Sequence, residues 1–315
     1  MIEDLYHQQT LAATAGLSGI GLHTGVNVNL HLLPAPTNTG IVFRRVDLDA
    51  FPIEALARNV ARVSYATSLM KKGVLISTIE HLLSALAAMG VDNVYVDIDN
   101  LELPIMDGSA LPFYRLLRGV GVRRQRAWRT YARILKPVEV EDGAKRIAVY
   151  PAEPFQVHYR ISFPHPLIGE QELGYHADES SYETQIAPAR TFGFIEEVEV
   201  LRRSGLVRGG SLENAIVLTR DGLLNPEGLR YPNEFCRHKV LDLIGDLSLL
   251  GHRLIGKVVA ERAGHAMHIA LVTRLLRDKS SWELVRGDRL RPRVPAGVAV
   301  TREAAIFGEP APLEN

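Results

Sequence analysis

A single cysteine, Cys236, stands in 315 residues. One thiol excludes an internal disulfide framework and any zinc site built from several thiolates, and it fits a reducing compartment such as the cytoplasm. Net charge is equally scarce. Thirty-six Lys and Arg balance 36 Asp and Glu, so no overall field draws the chain to nucleic acid or to an anionic membrane. Basic residues do gather locally at Arg123, Arg124, Arg126 and Arg129, a run that a joint between domains or a solvated face explains without a ligand. No stretch approaches the roughly 20 apolar residues needed to cross a bilayer. The opening MIEDLYHQQTLAATAG lacks the basic-then-apolar order of a signal peptide, so any membrane contact is expected to be peripheral. No GxGxxG after a strand, no Walker loop and no GxSxG elbow occurs. What is abundant is apolar side chain: 46% of residues are hydrophobic, enough for a substantial core in a chain long enough for two domains.

The order of predicted elements repeats. Residues 10–34 read as two strands around a glycine-rich turn that holds His23, a residue type at home in turns. In the second strand Val26, Val28, Leu30 and Leu32 alternate with Asn27, Asn29 and His31, the mark of a half-buried strand. Strands follow at 40–47 and within 58–69; then comes a helix from about residue 79, with Ser77 or Thr78 as its cap and Gly90 as its end. VDNVYVDI is a buried strand, and a second helix follows the Asp107–Gly108 turn. Polar and basic residues from Arg123 to Tyr131 break the pattern. A hairpin around Asp142–Gly143 and the strand FQVHYRISFPHP then restart it, followed by a helix over 233–250, the strand KVVAERAG and the helix HAMHIALVTRLLRD. Residues 191–220 add a helix, a Gly-Gly turn and a short strand, which is either a packed excursion or a wall for an apolar ligand. The tail after Leu290 has four prolines and no periodicity, and is expected to be loosely held.

Residues with chemical promise fall in three stretches. In the helix FCRHKVLDLIGD, residues four apart lie about 40° apart around the axis, so His238, Asp242 and Asp246 share a face beside the apolar Leu241, Ile244 and Leu249. An imidazole and a carboxylate one turn apart can hold two corners of a metal; the same pair can equally be a surface contact of a few tenths of a kcal/mol. STIEH, 77–81, puts Glu80 and His81 in the first turn of a helix. There the helix dipole favours the carboxylate, and the histidine needs a partner. GHAMH, 264–268, offers His265 and His268 within one turn, and spacing does not separate them. A catalytic zinc takes three protein ligands and leaves the fourth position to water, whose pKa falls from about 16 to about 7. His238 and Asp242 supply two, and His81 is the candidate third. Glu80 is placed to take that water's proton, and His265, held by Asp246, to protonate a leaving group.

Taken together, GIGLHTG, STIEHLLSAL, PIMDGSALPF, ARTFGF, GLVRGGSLENAIV, FCRHKVLDLIGDL and GHAMH, in this order and spacing, resemble the UDP-3-O-acyl-N-acetylglucosamine deacetylase family over nearly the whole chain. These are the zinc amidases of lipid A synthesis in Gram-negative bacteria. The resemblance implies that His81, His238 and Asp242 hold zinc, a donor set that also suits ferrous iron. It implies Glu80 as general base, His265 with Asp246 behind it as the protonated acid or electrostatic partner, and Thr191 as the hydroxyl at the developing oxyanion. Phe192 and Lys239 would line the sugar and phosphate region, Phe163 and Arg262 the uridine diphosphate. Val198, Val207, Gly210, Ser211, Ala215 and Val217 would line an acyl-chain passage.

The implied fold is α+β: two similar domains, each a β-sheet with two helices, with the helices sandwiched between the sheets. We divide the chain as 1–126, carrying Glu80 and His81, and 127–315, carrying His238, Asp242, His265 and the insert at about 191–220. The implied reaction is hydrolysis of the N-acetyl group of UDP-3-O-[(3R)-3-hydroxyacyl]-N-acetylglucosamine to the free amine and acetate, by a cytoplasmic monomer. Two other readings compete. One is a hydrolase of a different acylated sugar on the same metal, separable by assaying substrates with and without the acyl chain. The other is a non-catalytic lipid- or nucleotide-binding protein with a structural zinc, disfavoured because such sites are closed by four protein ligands and cysteine is nearly absent.

Overall fold

A computed structural model describes residues 6–177 and 182–290; the proline-bearing tail lies outside the described residues. In spatial order the first sheet runs Ala15–Ile20, Asn27–Pro34, Val94–Ile98, Ile41–Arg45, Phe51–Glu54. Neighbours are antiparallel except the parallel pair Ile41–Arg45 and Val94–Ile98. The second sheet repeats the plan: Val138–Asp142, Lys145–Tyr150, Lys257–Glu261, Gln156–Phe163, Gly169–His176. Its parallel pair is Gln156–Phe163 with Lys257–Glu261.

In both sheets the central strand is reached through a helix and followed by another. Helix α1 (Glu80–Ala88) precedes Val94–Ile98, and α2 (Leu111–Val120) follows it. The excursion carries α3 (Ile195–Arg203). Helix α4 (Glu234–Leu247) precedes Lys257–Glu261, and α5 (His265–Arg277) follows it. Helix α1 packs on α4 and α2, while α4 packs on α5 and the second sheet. The helices are thus sandwiched between the sheets, as expected. One buried apolar cluster runs from Leu30 and Phe43 through Leu82, Leu86, Leu241 and Ile244 to Val149 and Tyr159. The crossing of α1 and α4 depends on Gly245: a Cβ there would lie 2.2 Å from the Glu80 carbonyl oxygen.

Local chemistry accounts for agreements and departures. Val28, Leu30 and Leu32 are buried and Asn27, Asn29 and His31 exposed, but Val26 precedes the strand and is itself exposed. Gly143 takes a positive φ in the two-residue hairpin loop. Neither Ser77 nor Thr78 caps α1. Its N-cap is Ile79, the Thr78 hydroxyl donates to Glu102, and the Ser77 hydroxyl pairs with Ser68. Gly90, with φ +76°, does end the helix. The basic run read as a break is the strand Val122–Trp128, antiparallel to His7–Leu11, so the division at 126/127 falls inside a strand. Gly169–His176, a polar strand at the sheet edge, was not anticipated.

Candidate active site

Helix α4 is the spine of the site. Its residues Glu234, His238, Asp242 and Asp246 follow one another at one-turn intervals, and all four are buried. The first turn of α1 crosses it where Gly245 permits, which brings Glu80 and His81 alongside. Donor atoms of His81, His238 and Asp242 all lie within 4.8 Å of one another. The two imidazole rings stand edge to face at 5.1 Å, with Nε2 of His81 and of His238 at 3.8 and 3.4 Å from Asp242 Oδ1. That oxygen is buried and has no hydrogen-bond partner. A carboxylate oxygen left so is costly, and a cation between the three donors would satisfy it. Two of the three far ends are tied: His238 Nδ1 donates to the Ala189 carbonyl at 3.0 Å, leaving Nε2 free, and Lys239 Nζ donates to Asp242 Oδ2 at 2.9 Å, while His81 Nδ1 is buried without a hydrogen-bond partner.

Protonation fits the same role. Burial pushes His81 down to about 3 and lowers His238 as well, so both imidazoles are neutral, as ligation requires. Burial opposes charge on Asp242, yet the Lys239 ammonium and the His265 imidazolium hold its carboxyl well below the usual range. The donor set therefore suits a divalent cation.

Glu80 and His265 flank this cluster, Oε1 to Nε2 at 3.9 Å. Burial raises Glu80 to about 7, with Asp246 and Asp242 adding to the effect against the pull of His265. Burial works the other way on His265, but Asp246, Asp242 and Glu80 lift it to about 9. Asp246 is fully engaged. Its Oδ2 accepts from Nδ1 of His265 at 2.7 Å and of His268 at 2.8 Å, and its Oδ1 accepts from the Thr67 hydroxyl at 2.6 Å. The two histidines thus separate: His265 opens α5 with Nε2 toward Glu80 and Asp242, while His268 is buried with Nε2 against the Tyr159 hydroxyl at 2.9 Å. Thr67 escaped the sequence reading. Its backbone N–H also donates to Glu80 Oε2 at 3.1 Å, and it meets Asp246 from 179 residues away. Glu234 escaped too, although its four-residue spacing from His238 was there to be read.

The remaining residues surround the cluster. Phe192 lies edge to face with Phe235, at 4.9 Å, and with Phe163, at 5.8 Å; Lys239 Nζ stands 5.5 Å from its ring centre. Phe163, Lys239 and Arg262 line a cavity of about 480 Å³ together with Lys145 and Gly264. Thr191 is fixed through its backbone to Gly108 and Ile216. Of the excursion residues, Val198 packs on Gly193, Val207 on Gly210, Val217 is buried, Ala215 is half-buried and Ser211 is exposed. His23 stays outside the cluster. Its carbonyl and that of Leu22 accept from Arg208 and Gly209, fastening the excursion to the first half. Among the described residues no helix is long and apolar enough to cross a membrane.

The family model described as UDP-3-O-acyl N-acetylglycosamine deacetylase, LpxC, matches residues 8–277. The UDP-3-O-acyl-N-acetylglucosamine deacetylase of Solibacter usitatus is 53% identical over 287 residues, 91% of this chain and 97% of that protein. That of Myxococcus xanthus is 48% identical over 286 residues, 90% of this chain and 91% of the relative. That of Syntrophotalea carbinolica is 45% identical over 282 residues, 89% and 91% of the two chains. The chain belongs to the LpxC family of UDP-3-O-acyl N-acetylglycosamine deacetylases and is an enzyme, a hydrolase of an N-acetyl amide.

Proposed function

We propose that the protein hydrolyses the N-acetyl group of UDP-3-O-[(3R)-3-hydroxyacyl]-N-acetylglucosamine, releasing acetate and the free amine for lipid A synthesis, and that it depends on zinc held by His81, His238 and Asp242. The observation that carries this is the convergence of two neutral imidazoles and one ionised, unpartnered carboxylate oxygen beside the Glu80–His265 pair. Zinc suits that set, and ferrous iron is the alternative occupant. When bound, the cation supplies Lewis acidity toward the acetyl carbonyl and the attacking water.

The chain's own groups do the rest. Glu80 takes a proton from the water as its oxygen forms the new C–O bond. Thr191 donates its hydroxyl to the developing oxyanion. His265 Nε2–H gives its proton to the amide nitrogen as the C–N bond breaks, and Asp246 steadies the imidazolium. Thr67 fixes the Glu80 carboxylate from its far side, which aims the base. Phe192 and Lys239 contact the sugar and its phosphate, and Phe163 and Arg262 the nucleotide, consistent with the cavity that Lys239, Phe163 and Arg262 share and with the packing of Phe192 on Phe163. Val198, Val207, Gly210, Ser211, Ala215 and Val217 guide the acyl chain. The division into halves 1–126 and 127–315, and a monomeric cytoplasmic enzyme, belong to the same reading.

The test is acetate release from the acylated UDP-sugar after chelation and after zinc add-back. Activity lost on chelation and restored by zinc is expected; turnover untouched by chelation would refute the metal assignment. Equal turnover of a substrate lacking the acyl chain would refute the passage and favour a different acylated sugar.

A further inference from the structure

We infer that Arg190 and Glu234 form a positioning device for the deacetylation site, holding Thr191 and His238 in register; the inference rests on the roles just proposed for those two residues. Glu234 is fully buried and Arg190 is 2% exposed. The carboxylate grips both side chain and main chain: Oε1 accepts from the Arg190 backbone N–H at 3.1 Å and from Nε at 2.9 Å, and Oε2 from Nη2 at 3.2 Å. The rest of the guanidinium is used as well, Nη1 on Glu227 at 2.6 Å and Nη2 on the Gly228 carbonyl at 2.8 Å. One residue back, the Ala189 carbonyl takes the His238 Nδ1–H. One residue on is Thr191. Two successive residues, Ala189 and Arg190, are thereby docked on α4 at points one turn apart, one of those points the candidate ligand His238, and Thr191 is next in the chain.

Stability from the charge pairing itself gives little reason for such a pair, although Glu234 also satisfies the backbone N–H groups of Arg190 and Arg230. Removing two charges from water is costly, and well-packed apolar residues of similar volume serve a core as well or better. What apolar residues cannot do is fix the main chain at Arg190 by directional bonds. The bidentate fork does that. It sets how far the Thr191 hydroxyl stands from the cluster and which nitrogen of His238 faces it. The Ala189 carbonyl is the partner that orients His238 directly, and partners of that kind are worth about 10–100-fold in metal affinity or activity; the fork acts through it.

The decisive variant is Arg190→Met with Glu234→Leu, which keeps volume and removes both charges. Three quantities are read on the full chain: thermal midpoint without metal, zinc affinity by chelator competition, and kcat and KM for the acylated UDP-sugar. The device predicts a folded chain whose midpoint drops only by the lost main-chain hydrogen bonds of Arg190 and Arg230, zinc affinity and kcat each lowered about 10–100-fold, and KM nearly unchanged. Native zinc affinity and kcat in the folded double variant would overturn it. Should that variant not fold, Glu234→Gln, which keeps one acceptor oxygen, takes its place. A several-fold loss of zinc affinity and kcat in the folded variant then supports the device, and no loss overturns it. Arg190→Lys, which keeps charge without the fork, is expected not to rescue. If the native chain released no acetate at all, the functional reading would fall, while the zinc affinities would still test the device.

Discussion

The two five-stranded sheets share a strand order, yet their helices carry very different loads. In the first half, α1 offers Glu80 and His81 in its opening turn, and the buried residues of α2 are Phe113, Tyr114 and Leu117. In the second half, α4 buries four polar rungs from Glu234 to Asp246, and α5 starts on His265 and buries His268. The same topology therefore supports an ordinary apolar helix and a chemically loaded one. The scaffold does not dictate the chemistry; the side chains grafted on it do. Buried polar groups gather where the halves meet, and Glu234, His238, Asp246 and His268 each answer to a partner from a distant segment.

The largest expected effects fall on the helices that carry reacting groups, α1 and α5, against α2, which carries none. Glu80→Ala and His265→Ala should each lower the rate of acetate release about 10²–10⁴-fold, whereas Arg115→Ala, on the exposed face of α2, should leave it within about twofold and change stability by no more than about 0.5 kcal/mol. Comparable losses from all three would erase the distinction between α2 and the helices that carry reacting groups. Next in size is Gly245→Ala. Its methyl group would collide with the Glu80 backbone, costing about 1–3 kcal/mol in urea unfolding and separating α1 from α4, with a fall in activity. Native stability and turnover would mean the crossing has slack.

The dependence on pH sharpens the division of labour. Glu80, raised to about 7, must lose its proton to act, so kcat/KM should climb through that region, or lower once a cation sits beside it. His265, raised to about 9, must keep its proton, so activity should fall as pH passes that value. Glu80→Gln should erase the rising limb and His265→Gln the falling one. Retention of both limbs in either variant would reassign the groups. The smallest effect concerns Cys236 on α4, fully buried and pushed up to about 12 by burial. It should resist a thiol reagent at neutral pH until the chain is unfolded, since the thiolate is the reactive form; rapid native labelling would show α4 to be exposed.

Much of this was legible in the residues themselves. Alternation gave Asn27–Pro34 because one face of that strand is buried, and the helical period gave α4 because its apolar and polar residues each keep to a side. Gly169–His176 was missed because an edge strand with polar residues leaves no periodic signature, and Val122–Trp128 because arginines dominate it. Thr67 and Glu234 were missed for a different reason. A threonine in a loop and a glutamate in a first helical turn are ordinary surface residues until segments 179 and 44 residues away close over them. Burial of a polar group is a tertiary fact, and Thr78, drawn to Glu102 instead of capping α1, is the same lesson in reverse.

Helix α4 is also a ruler. Twelve residues separate Glu234 from Asp246, about 18 Å of rigid rod at 1.5 Å each. Inserting or deleting one residue within it swings everything downstream by about 100°, so the marks keep phase together or lose it together. Tuning of this enzyme must therefore come from what docks against the rod, not from stretching it.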